Sequence, residues 1–290
     1  MVKVGAKKFL VVVVILVTVF FIGNFLLSHR DIITQLKHVP VSLAGLLLLI
    51  YAVFFAGLAL INTATLRLCK IKSSFVETLL LTAYTAVINF FGPLQSGPAF
   101  RAIYLKKRYN VNLKDYAAAT LAYYFFYAVF SVVFLMSGIF KWWVLILPFI
   151  GFSAVWILTK VSPWFRARVT DRWQKFNGRA WAFLAIATLV QVTAMYLIFL
   201  TELHSIVPTI TMGQALIYTG AANLALFVSI TPAAIGFRET FLLFSRSLHH
   251  IDASTIVAAN LIDRGIYVVV LLIMAAFIFG THANTWLKKQ

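Results

Sequence analysis

Acidic residues are scarce in this chain. Its 290 residues hold 8 Asp+Glu against 25 Lys+Arg, and only 11% of all residues are charged. A water-soluble domain carries about 25%, so there is too little polar surface here to cover a soluble fold. Cysteine is rarer still. Cys69 stands alone, which excludes an intrachain disulfide and leaves no thiolate cluster for a metal. Signatures of hydrolytic chemistry are missing as well: no G-x-x-x-x-G-K-[ST], no H-E-x-x-H and no G-x-S-x-G occurs. No catalytic residue, no cofactor and no metal site is therefore expected. The pair His249-His250 lacks a third ligand nearby and reads as a surface pair.

What is abundant is apolar. The composition is 62% hydrophobic and 16% aromatic, with a mean hydropathy of +0.94. Several apolar runs reach the roughly 20 residues that cross a bilayer as a helix. The fold class read from this is an all-α integral membrane protein forming one domain over 1–290. The net charge of +17 would suggest nucleic acid in a soluble protein. In a membrane protein it follows from basic residues collecting in cytoplasmic loops, with attraction to anionic lipid head groups as a second cause. No nucleic acid partner is expected.

Six full spans are predicted: 9–27, 41–66, 116–140, 144–160, 180–203 and 254–280. The first lacks a small-x-small cleavage pattern at Ile22-Gly23-Asn24-Phe25 and reads as an uncleaved span. Asp252 is placed to cap the last. Two further apolar regions, 75–108 and 212–250, contain Gly/Pro breaks and then an arm carrying arginine. Treating them as two re-entrant broken-helix hairpins keeps the basic clusters, including Lys106-Lys107-Arg108 and the segment 160–179, on one side. Counting them as crossings gives eight spans or more, and hydropathy does not separate these choices. Both termini are then cytoplasmic, and the protein is a multi-pass protein of the cell (inner) membrane. Trp142-Trp143 marks the outer boundary, while Trp164, Trp173, Trp181 and Trp286 lie near the inner one. The segment 160–179 is expected to lie on the membrane as a basic amphipathic helix. Residues 1–140 and 143–280 repeat the order span, span, hairpin, span. An odd number of crossings in each makes the second half inverted, a plan found in transporters with broken helices near mid-depth.

The first break runs Asn89-Phe90-Phe91-Gly92-Pro93-Leu94-Gln95-Ser96-Gly97-Pro98-Ala99-Phe100-Arg101. Ser96 is a candidate cap for a helix with Pro98 near its first position. Free amides at such a start, with Arg101 one turn on, suit a phosphate. Asn89, Gln95 and Tyr104 would add neutral donors. The alternative is a kinked helix whose Arg101 snorkels to the inner surface. The second break, Thr231-Pro232-Ala233-Ala234-Ile235-Gly236-Phe237-Arg238-Glu239, repeats the logic. Thr231 caps, Pro232 starts the helix, and Gly236 permits close backbone approach. Arg238 and Glu239 either serve the site or neutralise each other. Asp263-Arg264 lies inside the last span, where charges persist only when paired or facing a wet cavity. A local salt bridge among Glu239, Asp263 and Arg264 is the plainer reading. Glu77 and Glu202, nearer span ends, read as interfacial.

The set Pro93, Gly97 and Arg101, then Pro232-x-x-Ile235-Gly236-x-x-Glu239, then Arg264 resembles the membrane region of lysyl-phosphatidylglycerol synthases. That family includes stand-alone flippase-like proteins, and the resemblance covers nearly the whole chain. Members often carry an acidic residue directly after the first-break glycine. Pro98 stands there in this sequence, so the first break lacks that carboxylate. The soluble aminoacyl-transferase domain has no counterpart in these residues, and lipid synthesis is not expected. The resemblance implies movement of a phospholipid or polyprenyl-linked lipid between leaflets. The partners it implies are an anionic phospholipid or polyprenyl-phosphate lipid, the bilayer itself, and a second copy of the chain or a separate synthase. The substrate-binding set is then Asn89, Pro93, Gly97, Arg101, Tyr104, Thr231, Pro232, Gly236, Arg238, Glu239, Asp263 and Arg264. Two other classes remain open: a membrane enzyme or enzyme subunit acting on lipid-linked substrates through Glu239 and Asp263, and a non-catalytic partner that recruits anionic proteins through 160–179.

Overall fold

The computed structural model describes residues 39–91, 96–147, 178–228 and 237–287, with a few isolated positions between 150 and 162. Among these residues there are nine α-helices and one 3-10 helix. Four α-helices are long and apolar enough to cross a membrane. They are α1 (Val41–Leu68), α4 (Leu113–Phe140), α5 (Gly178–Ile206) and α9 (Ala253–Leu287). The others are α2 (Phe75–Phe91), α3 (Gly97–Tyr109), α6 (Met212–Val228), α7 (Phe237–Phe244) and the single turn α8 (Arg246–His249).

This corrects the expectation of six full spans plus two re-entrant hairpins. The expected span 9–27 lies outside the described residues. The expected span 144–160 begins within a 3-10 helix, Trp142–Ile146, and most of its remainder also lies outside. The regions 75–108 and 212–250 divide into short pieces. At 1.5 Å per residue, the 17 residues of α2 or of α6 reach about 25 Å, short of the ~30 Å hydrocarbon core. Most of the segment 160–179, with Trp164 and Trp173 in it, lies outside the described residues, as does the Trp286 side chain.

Local chemistry sets the helix ends. At the end of α1, Lys70 adopts the left-handed conformation (φ 59). The Ile71 amide then reaches back to the Leu66 carbonyl at 2.9 Å, the six-to-one bond that closes a helix terminus. Ser74 opens α2 by accepting the Glu77 amide at 3.2 Å. Asn112 opens α4 by accepting the Lys114 amide at 3.0 Å. Asp252 supplies the carbonyl that starts α9, accepting from the Ile256 amide at 3.0 Å. Its carboxylate does not cap; it accepts from Arg246 at 2.8 Å. Cys69 follows α1 directly, where burial, reinforced by the Asp115 charge, pushes its thiol up to about 11.

The long helices pack through small residues, as helices do where lipid removes the hydrophobic drive between them. Gly57 on α1 abuts the backbone of Gln191 on α5; a Cβ there would lie 3.3 Å from the Gln191 Cα. The helices α4 and α6 meet closely at two levels. A Cβ on Gly138 would lie 2.5 Å from the Gly213 carbonyl oxygen, and one on Gly220 would lie 2.7 Å from both the Leu135 nitrogen and the Ser131 carbonyl oxygen. Backbone atoms have nowhere to retreat. Gly220→Val is therefore expected to destabilise by about 1–3 kcal/mol or more. Gly45→Ala, where a Cβ meets nothing within 4 Å, is the control and should leave the unfolding midpoint in detergent at or above wild type. Equal midpoints for the two variants would refute the close crossing.

The interior is a continuous apolar cluster built on α1, α5, α6 and α9, with Leu47, Phe199, Tyr218 and Leu271 fully or almost fully buried. A second cluster joins α1, α4 and α5 through Ile61, Phe130 and Leu184. Outward positions on the long helices stay apolar and exposed, including Leu49, Leu121, Phe125, Ile186 and Ile273. That pattern suits a hydrocarbon surround and not water.

Candidate functional site

The polar residues within the bundle converge on one cavity of about 240 Å³. Its amide and charged lining comes from six separate helices: Asn62 of α1, Asn89 of α2, Arg101 of α3, Gln191 of α5, Arg238 of α7, and Asp263 with Arg264 of α9. Aromatic rings, among them Tyr51, Phe90, Tyr124 and Tyr267, close the rest. This volume is below the about 300–1,000 Å³ typical of sites that enclose a drug-sized molecule. It suits a compact polar group.

Arg101 reaches the cavity because α3 begins immediately beside α2. The Gly97 amide donates to Asn89 Oδ1 at 2.7 Å. A Cβ on Gly97 would fall 2.4 Å from Thr85 Cγ2 and 2.5 Å from that same Asn89 oxygen, so only glycine fits here. Asn89, expected to donate to a ligand, thus accepts from the start of α3. Ser96 makes no side-chain cap; its hydroxyl faces the Ile88 carbonyl at 3.5 Å instead. Asn62 fixes the far end of Arg101. Its amide nitrogen donates to Thr82 Oγ1 at 2.7 Å, which turns its carbonyl oxygen toward the guanidinium, and Arg101 Nη1 donates to it. Arg101 Nε is buried without a partner. Among the described residues, no carboxylate lies within salt-bridge distance of Arg101. It faces the cavity and does not snorkel.

The other two arginines are paired across helices. Arg238 Nη2 donates to Asp263 Oδ2 at 2.5 Å, and Arg264 Nη2 donates to Glu239 Oε1. Neighbouring residues on α7 and α9 therefore form two ion pairs of opposite sense, side by side. The plain reading of a local salt bridge is resolved into crossed pairs, and Arg238 and Glu239 do not neutralise each other. The Arg238–Asp263 pair is the deeper, with side-chain exposures of 9% and 6%. Tyr51 also donates its hydroxyl to Asp263 Oδ1. The Arg238 guanidinium lies 5.7 Å from the centroid of the Phe199 ring, and its Nε has no partner.

The structure therefore brings together Asn89, Gly97, Arg101, Arg238, Glu239, Asp263 and Arg264. It does not bring Tyr104 to them. The Tyr104 hydroxyl donates to Glu77 at 2.6 Å, beside Tyr109 at 2.5 Å, and burial with the Glu77 contact raises the phenol above its ordinary range. Pro93, Thr231, Pro232 and Gly236 lie outside the described residues, as does Gln95.

Several residues depart from the sequence reading or carry no signal in it. Asn62 and Gln191 line the cavity but are lone amides in apolar runs. Glu202 is not interfacial: its side chain is fully buried and neither carboxyl oxygen has a partner. His249 is not a surface residue either. It is fully buried, with Nε2 at 3.0 Å from the Leu242 carbonyl and Nδ1 accepting the Ile251 amide at 3.2 Å. Burial lowers its basicity. No group of three His, Cys, Asp or Glu side chains suited to a metal occurs among the described residues.

Compared with known protein families, residues 8–275 match the lysylphosphatidylglycerol synthase TM region. No curated protein matches the chain.

Proposed function

Taking as premise that the chain belongs to the lysylphosphatidylglycerol synthase TM-region family, a multi-pass membrane family, we propose that it carries the phosphate-bearing head group of an anionic lipid between leaflets. One observation carries this reading. The cavity cluster holds three arginines, Arg101, Arg238 and Arg264, against two paired carboxylates, Asp263 and Glu239. Arg101 is left with a neutral partner, Asn62. A partly buried cation without a counter-charge is costly in a low-dielectric cavity, and a monoanionic phosphodiester supplies the missing charge. The guanidinium adds a planar donor face matched to phosphate oxygens. The match is to the membrane region of the family, the part of it that would carry a lipid.

Arg101 is the first contact for the phosphate in this reading, with Arg238 and Arg264 exchanging partners as the head group moves past them. Acyl chains remain in the bilayer, since the cavity holds only the head group. Asn89 and Gly97 position Arg101, and Tyr104 supports α3 from outside the cavity. Pro93, Thr231, Pro232 and Gly236 complete the proposed substrate-binding set. Residues 1–140 and 143–280 act as two inverted halves. In support, α2 with α3 and α6 with α7 are corresponding short pairs, each with an arginine early in its second helix. Both termini face the cytoplasm, in line with the basic segments. The lipid is a phospholipid or a polyprenyl phosphate, and a second copy or a separate synthase is the protein partner.

The test is reconstitution into liposomes with fluorescent anionic lipids, reading the fraction that reaches a membrane-impermeant quencher. Faster exchange than in protein-free vesicles is expected. Identical rates across anionic phospholipids and polyprenyl phosphates would end this reading.

A further inference from the structure

Glu202 is the buried titratable group that the lipid pathway leaves unused. It lies on α5, fully buried, and both side-chain oxygens are without a partner. Phe199, three residues before it on α5, has the Arg238 guanidinium 5.7 Å from its ring centroid and the Tyr218 ring 5.2 Å away, so the ionisable groups around Glu202 are Tyr51 of α1, Tyr218 of α6, Arg238 of α7 and Asp263 of α9. Two of these, Tyr51 and Asp263, are already committed. Tyr51 donates to Asp263, Asp263 pairs with Arg238, and Tyr218 accepts from Asn260 at 3.2 Å. His249, whose ring lies 5.7 Å from that of Tyr218, accepts a backbone amide at Nδ1 and so is neutral. From α4, no charged group faces Glu202 in the described structure. Two of the four keep a donor: Tyr218, whose hydroxyl is the acceptor in its bond with Asn260, and Arg238, which has an unpartnered Nε–H in the same buried cluster.

An ionised carboxylate with no donor is not tolerated in such a place, whereas the neutral acid is. The arrangement seen is therefore that of a protonated Glu202. The charge count gives this protonation a consequence. With Glu202 neutral, three arginines face two carboxylates, and the cluster has one excess positive charge. With Glu202 ionised, the excess is gone. A monoanionic head group and the Glu202 charge thus compete to neutralise the same cations in a medium of low dielectric constant.

We propose that Glu202 is a proton-binding site linked to the cavity, which holds its proton up to a higher pH while a monoanionic head group is bound than when the cavity is empty. Arg238 mediates the linkage, its free Nε–H serving as donor to Glu202 once the acid is ionised. The inference rests on the lipid-carriage reading, which it extends to proton coupling.

The experiment is the pH profile of translocation in reconstituted vesicles, over about pH 5 to pH 9, for the wild type, E202Q and E202D. Head-group affinity in the wild type should fall by up to about tenfold per pH unit as Glu202 ionises, the limit for one linked proton. The slope should vanish in E202Q and return, displaced, in E202D. A flat wild-type profile with active transport, or an undiminished slope in E202Q, overturns the proposal. Should wild-type vesicles exchange lipid no faster than protein-free ones at every pH, the carriage reading fails. Infrared spectroscopy then decides on Glu202: a carboxylic-acid carbonyl band present in the wild type and lost in E202Q supports the protonated acid, and its absence overturns it.

Discussion

Asp263→Ala is expected to destabilise the protein by about 3–5 kcal/mol, the usual cost of removing one partner from a buried ion pair. Arg238 would stay behind, almost fully buried with a side-chain exposure of 9%, and Tyr51 would lose its acceptor. Both groups are buried at the wall of the cavity, where little water replaces the lost carboxylate. The double replacement Arg238→Met with Asp263→Leu removes both charges together, and should recover much of the loss, since apolar residues of similar volume replace buried pairs at little cost. Unfolding of the detergent-solubilised protein reads this out. If the single and double variants unfold at the same point, the pair is not a mutual neutraliser. The same reasoning makes Arg238 a residue of stability as well as of carriage, so transport lost in Arg238→Ala has to be read beside its unfolding midpoint.

Arg101→Ala separates the two roles. Its hydrogen-bond partner is the neutral Asn62, so removing it leaves no buried charge behind. Stability should fall by at most about 1–3 kcal/mol, the cost of leaving the Asn62 oxygen without a donor, while a charged hydrogen bond to phosphate worth about 1.5–3 kcal/mol is lost. That corresponds to head-group binding weaker by about 10–100-fold. Arg101→Lys keeps the charge but loses the planar donor face, and should fall between. Lipid exchange in vesicles, with the unfolding midpoint as a control, measures both. Wild-type exchange rates in a well-folded Arg101→Ala protein would remove this residue from the pathway and leave the excess charge unexplained.

Some of this arrangement is legible in the amino-acid chain alone. The helices α1, α4, α5 and α9 fall where long apolar runs predict spans, because bilayer thickness sets their length. The arginines of α3 and α7 and the Asp263-Arg264 pair stand out because charge inside an apolar run is rare. The count of spans is not legible. Hydropathy grades a window by composition alone, so it reads 144–160 as a span, although a 3-10 helix opens that run. Nor is the burial of Glu202 and His249. Both lie near the end of an apolar stretch, where distance along the chain suggests an interface. The packing of α1, α6, α7 and α9 around them decides otherwise.

The sequence by itself determined an α-helical membrane protein, rich in base, with two broken apolar regions and a few charges too costly to be incidental. Its resemblance to the synthase membrane region rested on those same residues. Which charge meets which was decided only by tertiary structure. Arg238 could have paired with its neighbour Glu239, and Arg264 with Asp263. Adjacent residues on one helix point about 100° apart, so each pair forms between α7 and α9 instead. Arg101 is the remainder of that pairing. Its open positive charge follows from how separate helices close on one cavity, which no local stretch of the chain encodes.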